Sequence, residues 1–260
     1  MNLLFLGTGT STGVPVIGCK CNICTSENKK DNRLRASVLI SDGTTKILID
    51  CGPDLRQQLI AYKVNALSGI LLTHEHYDHV GGLDDVRPLG EAQLYAERKV
   101  LNVIKRNMPY CFGENRYPNV PTIHLNEIDE KAFYIEHLKI LPIRIMHEKL
   151  PILGFRIGNL AYLTDVKTMN DRAIEKLKDL DILVLNALRI NKHISHLSLD
   201  EALELASKIG AKQTYFTHMS HDMGLHEEVN KILPENFQLA YDGLLLTANS
   251  DQQSVKIEID

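Results

Sequence analysis

Short apolar runs that stop abruptly on a glycine or a polar residue organise this chain. NLLFLG (2–7) reads as a strand ended by Gly7. ASVLIS (36–41) and TKILID (45–50) flank Asp42-Gly43, a dipeptide suited to the left-handed conformations of a tight turn, so the two runs are expected to pair as a hairpin. PDLRQQLIAY (53–62) carries Leu55, Leu59 and Ile60 at helical spacing behind a proline, and predicts a short helix. GILLT (69–73) is a buried strand stopping at His74. LKILPIRIM (138–146) stops at His147, with Pro142 pointing to an edge or a bulge because proline donates no ladder hydrogen bond. LAYLT (160–164) stops at Asp165, and DILVLNAL and QTYF are further strands. SLDEALELASKIG (198–210) shows a capping box, Ser198 with Glu201, and one apolar face of Leu199, Ala202, Leu203, Ala206 and Ile209, so a helix covering a sheet is expected.

Strand-rich and helix-rich segments alternate with no internal repeat and no Pro/Ser-rich linker, which gives an α/β chain with mixed sheets and a single domain over 1–260. An apolar share of 44% and a charged share of 24% describe an ordinary globular composition. The formal charge of −4 offers no global attraction to a polyanion, so extended nucleic acid is not expected as a partner and a small substrate is. LLFL near the N-terminus lacks preceding basic residues and is too short for a signal peptide or a membrane span, so no membrane partner is expected and the chain is placed in the cytoplasm, where thiols stay reduced.

Candidate chemistry changes this picture in three places. GTGTSTGVP (7–15) looks like a dinucleotide loop, but Gly7, Gly9 and Gly13 have the wrong spacing and Val14-Pro15 stands where a helix should open; a tight backbone loop is expected instead. THEHYDHVGG (73–82) supplies His74, His76, Asp78 and His79 at the end of a strand, a mix of imidazole and carboxylate suited to zinc or manganese. One loop cannot fill a two-metal site, and His147, Asp165 and His218 each follow a strand, where ends on one edge converge; taken singly, each reads better as a satisfied surface histidine or a strand-end turn aspartate, and it is the set together that reverses this. GCKCNIC (18–24) crowds Cys19, Cys21 and Cys24 together, open between a metal set, plain buried thiols, a redox cluster and, less well in a reducing compartment, a disulfide.

In the order of these motifs, HxHxDH, then His147, Asp165 and His218, the sequence resembles the metallo-β-lactamase superfamily of hydrolases. The resemblance implies a four-layer αββα sandwich of two mixed β-sheets flanked by helices. It also implies two active-site divalent metals, Zn or Mn: His74, His76 and His147 on one, Asp78, His79 and His218 on the other, and Asp165 bridging them. Within that superfamily, LGTGTSTGVPVIGCKCNIC (6–24) is similar to the PhnP-type cyclic phosphodiesterases, which act on phosphoribosyl cyclic phosphate. That similarity implies a structural Zn held by Cys19, Cys21, Cys24 and His221, the last from THMSH (217–221), and a general acid or base at His196 in ISHLSLDE. It implies a homodimer, and a supporting place beside the metals for Asp50, which otherwise reads as a strand-end turn residue. Arg87 in GLDDVRPL and Lys149 are candidates for binding a phosphate oxygen, against a plain solvated role. His193 competes with His196, while His124, His137 and His226 read as ordinary polar residues and Cys51 and Cys111 as small buried ones. No shared motif extends to NRYPNVPTI (115–123).

The function expected on this reading is hydrolysis of a small phosphodiester, cyclic in the PhnP-type case, by a hydroxide bridging two metals, with His196 protonating the leaving group and Asp165 at the centre. The alternatives are a PqqB-like protein of cofactor biosynthesis, which shares a similar cysteine loop; a thioester or lactone hydrolase on the same fold; and a metal-containing protein without turnover.

Overall fold

The computed structural model describes residues 1–112, 118–247 and 256–257, so the first three residues of NRYPNVPTI lie outside the described part. Strands β1 (Asn2–Gly7), β2 (Ser37–Asp42), β3 (Thr45–Ile49), β4 (Gly69–Leu71), β5 (Glu91–Ala96) and β6 (Thr122–Glu127) form most of a first sheet. Strands β7 (Phe133–Ile135), β8 (Leu138–His147), β9 (Leu150–Ile157), β10 (Leu160–Leu163), β11 (Ile182–Asn186), β12 (Gln213–Thr217) and β13 (Phe237–Leu239) form the second. The chain then returns to the first through β14 (Leu245–Thr247) and β15 (Lys256–Ile257). The strand orders are β15-β14-β1-β2-β3-β4-β5-β6 and β13-β12-β11-β10-β9-β8-β7. The helices are α1 (Leu55–Ala61), α2 (Tyr77–Val80), α3 (Arg98–Asn107), α4 (Pro109–Phe112), α5 (Asp171–Glu175), α6 (Leu199–Ile209) and α7 (His226–Ile232).

Three apolar clusters separate four layers. Leu3, Phe5, Val38 and Ile40 of the first sheet face Phe155, Ile157, Tyr162 and Val184 of the second. Leu4, Leu6 and Leu48 point the other way, onto Leu55 and Leu59 of α1 and Val100 and Ile104 of α3. Leu183 and Leu185 pack on Ala202 and Ala206 of α6. Successive side chains alternate between sheet faces, and here both faces are covered, which is why the strands read as continuous apolar runs. The αββα sandwich implied by the resemblance is the observed fold.

Local features follow their chemistry. β2 and β3 pair antiparallel with Asp42 opposite Thr45, as the Asp-Gly turn requires. The α6 capping box is present, Ser198 N–H donating to Glu201 Oε2 at 2.9 Å and the Ser198 hydroxyl accepting from Glu201 N–H at 3.4 Å. Pro142 lies where β8 has only one neighbour, because β7 pairs with Leu138–Ile140 alone. In α1 the buried positions are Leu55, Gln58 and Leu59, whereas Ile60 is 60% exposed. The helix rotates to bury Gln58 because its amide donates to the Arg35 carbonyl at 3.0 Å. The glycine loop is a backbone junction: a Cβ on Gly7 would stand 2.1 Å from the Arg35 carbonyl oxygen, and Gly9 bridges to both Arg35 and Met219. It thereby ties β1 to the segment that follows β12.

His226 differs from its reading as an ordinary polar residue. It is 4% exposed, its Nδ1 lies 3.3 Å from the buried Arg33 guanidinium, and its backbone N–H donates to Asp31 at 2.7 Å. Burial, then Arg33 and Lys30, pull the imidazole down from 6.5 to about 4. A neutral buried imidazole contributes stability present above the unfolded value and lost as pH falls through the folded one, up to about 3 kcal/mol for this shift. Between pH 6.5 and 4 the urea midpoint is therefore expected to fall more steeply in the natural chain than in His226→Gln. Equal slopes in the two proteins would remove His226 from the acid response.

Candidate metal centre

Strand ends on one edge of the sandwich deliver the titratable residues. Asp50 follows β3, His74 follows β4, His147 closes β8, Asp165 follows β10 and His218 follows β12. Asp50, Asp165 and His218 adopt φ values of 61°, 58° and 58°, left-handed conformations that cost a non-glycine residue roughly 1–2 kcal/mol each. Local strain of this kind turns the chain sharply at a strand end and aims the side chain back across the edge.

Besides an overlapping set of Asp165, His196 and His218, the donor atoms fall into two groups. One is formed by His74, His76, His147 and Asp165, the other by Asp78, His79 and His218, and within each group the donor atoms lie within 4.8 Å of one another. Asp165 reaches both: its Oδ2 is 3.8 Å from His74 Nε2 and 3.9 Å from His147 Nε2, and its Oδ1 is 3.4 Å from His79 Nε2 and 3.3 Å from His218 Nε2. His196 adds a further contact, with Nε2 3.2 Å from Asp165 Oδ2. The sequence-predicted set is therefore brought together, with Asp165 between the two halves.

Hydrogen bonds on the far side orient these rings. His79 Nδ1–H donates to Asp50 Oδ2 at 2.7 Å, and Asp50 is itself held by the Thr73 N–H and hydroxyl, each at 2.9 Å. His147 Nδ1–H donates to the Ser195 carbonyl at 2.9 Å. Each bond turns the ring's Nε2 toward Asp165. His74 Nδ1 contacts the Thr73 hydroxyl at 2.9 Å. Thr73 and Ser195 were not singled out by the sequence, since one is a strand residue and the other a loop serine with no motif of its own.

Electrostatics are severe here. Burial pushes the Asp165 carboxyl up, but His218, His79, His196 and His74 overcome it and hold the group well below the carboxylate range. Burial pulls His79 down, and Asp165, Asp78 and Asp50 reverse this, holding the ring well above its usual value. His74 is driven well down by burial and by His79, and His196 falls to about 4, chiefly by burial, with Asp165 opposing.

The residues fit a divalent cation. His74 Nε2, His79 Nε2 and both ring nitrogens of His218 are buried with no hydrogen-bond partner, and unpaired buried polar atoms of this kind each cost about 1–3 kcal/mol unless something else satisfies them. Borderline imidazole and hard carboxylate donors aimed at common points are what zinc or manganese accepts. The second cluster, Cys19, Cys21, Cys24 and His221, fits zinc for a different reason. Its three Sγ atoms lie 3.4, 3.5 and 3.4 Å from His221 Nδ1, against the S–N edge of about 3.5 Å in a tetrahedron with zinc's usual bond lengths. The Cys24 amide draws the Cys21 thiol down to about 6, toward the thiolate that binds metal.

Elsewhere, Arg87 donates to Asp84 at 2.7 Å, and Lys149 is exposed in the turn between β8 and β9. His193 lies beside His196, with their Nδ1 atoms 3.3 Å apart. Cys51 and Cys111 are buried, as read from sequence.

The fold and this site belong to one class: residues 45–219 match the family model described as a beta-lactamase superfamily domain, and the chain is a member of the metallo-β-lactamase superfamily, a divalent-metal-binding hydrolase fold. Among solved structures, it is similar to a new diphosphatase from the PhnP family, at 40% identity and a TM-score of 0.89, over 95% of this chain and 98% of that one. It is 43% identical, over 264 residues, to the octanoyltransferase of Porphyromonas gingivalis, across 99% of this chain. The chain spans about half, 53%, of that curated relative's length. Zn(2+)-bound PqqB from Methylobacterium extorquens shares the fold at a TM-score of 0.78 and 20% identity, over 95% of this chain and all of that one, 100%. Among the described residues no helix is long and apolar enough to cross a membrane.

If Asp50 sets the His79 ring, Asp50→Asn is expected to lower affinity for a divalent ion by about 10–100-fold, measured by competition with a chelating dye. An unchanged affinity would leave Asp50 with no part in holding metal.

Proposed function

We propose that this chain is a binuclear metal-dependent phosphodiesterase acting on a small, in particular a cyclic, phosphodiester. The observation that carries the reading is the division of seven donors into two groups that share Asp165, with bare buried imidazole nitrogens on both sides and His196 against the shared carboxylate. His74, His76, His147 and Asp165 would hold one cation, and Asp78, His79 and His218 the other, with Asp165 Oδ1 close to His79 and His218 as its link to that second group. Two such ions, when bound, supply Lewis acidity for a phosphoryl centre and for the water that attacks it.

The remaining work falls to the chain. Asp50, Thr73 and the Ser195 carbonyl fix the rings from behind, so their Nε2 atoms need no reorganisation on binding. His196 Nε2 lies 3.2 Å from Asp165 Oδ2, and from that position a His196 proton would pass to a leaving alkoxide. The resemblance to a PhnP-family diphosphatase at 40% identity supports chemistry at phosphorus and makes a diphosphate the second substrate to test. The octanoyltransferase is a protein of which this chain matches only part, 53%. A homodimer in the cytoplasm completes the reading.

Zinc- or manganese-loaded protein is expected to cleave bis(4-nitrophenyl) phosphate and a cyclic ribosyl or nucleotide phosphate, and to leave a thioester intact. Cleavage of the thioester alone would replace this reading with a thioesterase. In His196→Ala the metal content is expected to stay while kcat drops by about a hundredfold or more, and unchanged turnover would remove His196 from the mechanism.

The cysteine cluster is assigned a structural zinc, with His221 three residues beyond His218. Cys21→Ser is expected to lose one zinc per chain by mass spectrometry of the native protein and to weaken active-site metal binding with it. Full retention of metal and activity would break the link between the two clusters.

A further inference from the structure

The peptide unit between His196 and Leu197 is held at both ends by the segment that presents Asp165. Its N–H, from Leu197, donates to the Val166 carbonyl at 3.1 Å. Its C=O, from His196, accepts from Lys167 Nζ at 3.3 Å. Among the described residues, that contact is the one hydrogen bond made by the His196 main chain. With the His196 ring nitrogen Nε2 3.2 Å from Asp165 Oδ2, residues 165, 166 and 167 each meet the 196–197 corner in turn.

The holding segment is itself fixed. The Asn186 side chain, wholly buried at the end of β11, accepts from Val166 N–H at 2.6 Å and donates to the Val166 carbonyl at 3.1 Å. Lys167 N–H donates at 2.7 Å to the carbonyl of Met146, the neighbour of His147. From this frame the Lys167 side chain reaches across with the three donors of an ammonium group, to both carboxylate oxygens of Glu201 at 3.0 Å and to the His196 carbonyl. Glu201 also caps α6, accepting from Ser198 N–H at 2.9 Å. An ion pair partly open to solvent, as this one is, contributes little on its own, so the pair alone predicts a small effect of removing the lysine. Geometry predicts a larger one, because a reacting group misplaced by about 1 Å can lose about a hundredfold in rate.

We propose that Lys167 is a positioning residue: by donating to the His196 carbonyl from the segment that presents Asp165, it fixes the His196 ring at its place beside the shared carboxylate. The functional half of this inference rests on the proposed role of His196 as proton donor. The positional half does not, because the same peptide unit carries an amide proton, that of Leu197, which reports directly on how firmly the corner is held.

The test uses the full chain loaded with zinc and compares Lys167→Met, which keeps the aliphatic stem, with Lys167→Arg, which keeps a cationic donor. By amide hydrogen exchange, Lys167→Met is expected to speed exchange of the Leu197 N–H while leaving that of Ala187, which donates to the Thr217 carbonyl, as it is. Lys167→Arg is expected to keep both slow. Unchanged exchange at Leu197 in Lys167→Met, or equal acceleration at both amides, would overturn the proposal without reference to activity. In kinetics, Lys167→Met is expected to lower kcat about tenfold or more for a diester with an alkyl leaving group, which needs a proton, with KM and metal content unchanged. A 4-nitrophenyl diester, whose phenolate leaves unprotonated, is expected to lose little, and Lys167→Arg to restore the alkyl rate. Equal losses on both substrates would mark a general structural role and overturn the proposal. Glu201→Gln removes the charge of the ion pair but leaves the ammonium beside the His196 carbonyl, and is expected to keep the alkyl rate; a loss there as large as in Lys167→Met would assign the effect to the ion pair instead. His196→Ala, run alongside, separates the two levels: an alkyl-selective loss there but not in Lys167→Met sinks the lysine alone, and no loss in either sinks the proton-donor reading itself.

Discussion

A carboxylate 2% exposed among imidazoles is the interaction on which the rest of the site depends. Asp165 lies within 4 Å of His74, His79, His147, His196 and His218, and among the described residues no other carboxylate is paired with histidines of both donor groups. Burying a charge is expensive unless partners compensate, and here the partners include His79 and His147, whose Nδ1 atoms are already committed behind them. The sandwich exists to hold that arrangement: parallel β10, β11 and β12 bring Asp165 and His218 to one edge, and the antiparallel β8–β9 pair brings His147. Left-handed turns at Asp50, Asp165 and His218 store strain where each strand hands its side chain to the site.

A second constraint ties the N-terminal loop to the same edge. Gly9 pairs with Met219, between His218 and the cysteine partner His221, and Thr10 N–H donates to the Met219 carbonyl at 3.0 Å. The segment carrying His218 is thus held by backbone pairing on one side and by the Cys19, Cys21, Cys24 and His221 cluster on the other. A Cβ on Gly7 or Gly9 would crowd the carbonyls of Arg33, Leu34 and Arg35, so these positions have no room for a side chain, and a glycine pattern that looks like a nucleotide fingerprint is instead a packing solution.

Much was legible from local chemistry, and the failures have physical causes. The Asp-Gly hairpin, the capping box of α6 and the strands running into His74, His147 and Asp165 rest on interactions a few residues apart. β5 (EAQLYA) and β9 (LPILGFRI) carry weak local signals, a polar start in one and Pro151 and Gly154 in the other, and they are strands because their neighbours bury them. In β9, Gly154 is required by β10, since a Cβ there would meet Leu163 at 2.4 Å. Ile60 faces out and Gln58 in because of an acceptor on Arg35, twenty-three residues away in sequence. His226 reads as polar surface and is buried against Arg33.

By itself the sequence determined the kinds of donor and their order along the chain, and that order identifies the superfamily: HxHxDH, His147, Asp165, His218, preceded by three cysteines. Ligand chemistry is a property of residue type and survives reading in one dimension. Only the tertiary structure decided that Asp165 stands between two groups, that His221 lies within 3.5 Å of three thiols some two hundred positions earlier, and that the Ser195 carbonyl backs the His147 ring. Such assignments depend on direction as well as identity: which nitrogen of a ring points where is set by a hydrogen bond on its far side, and that partner comes from another strand end.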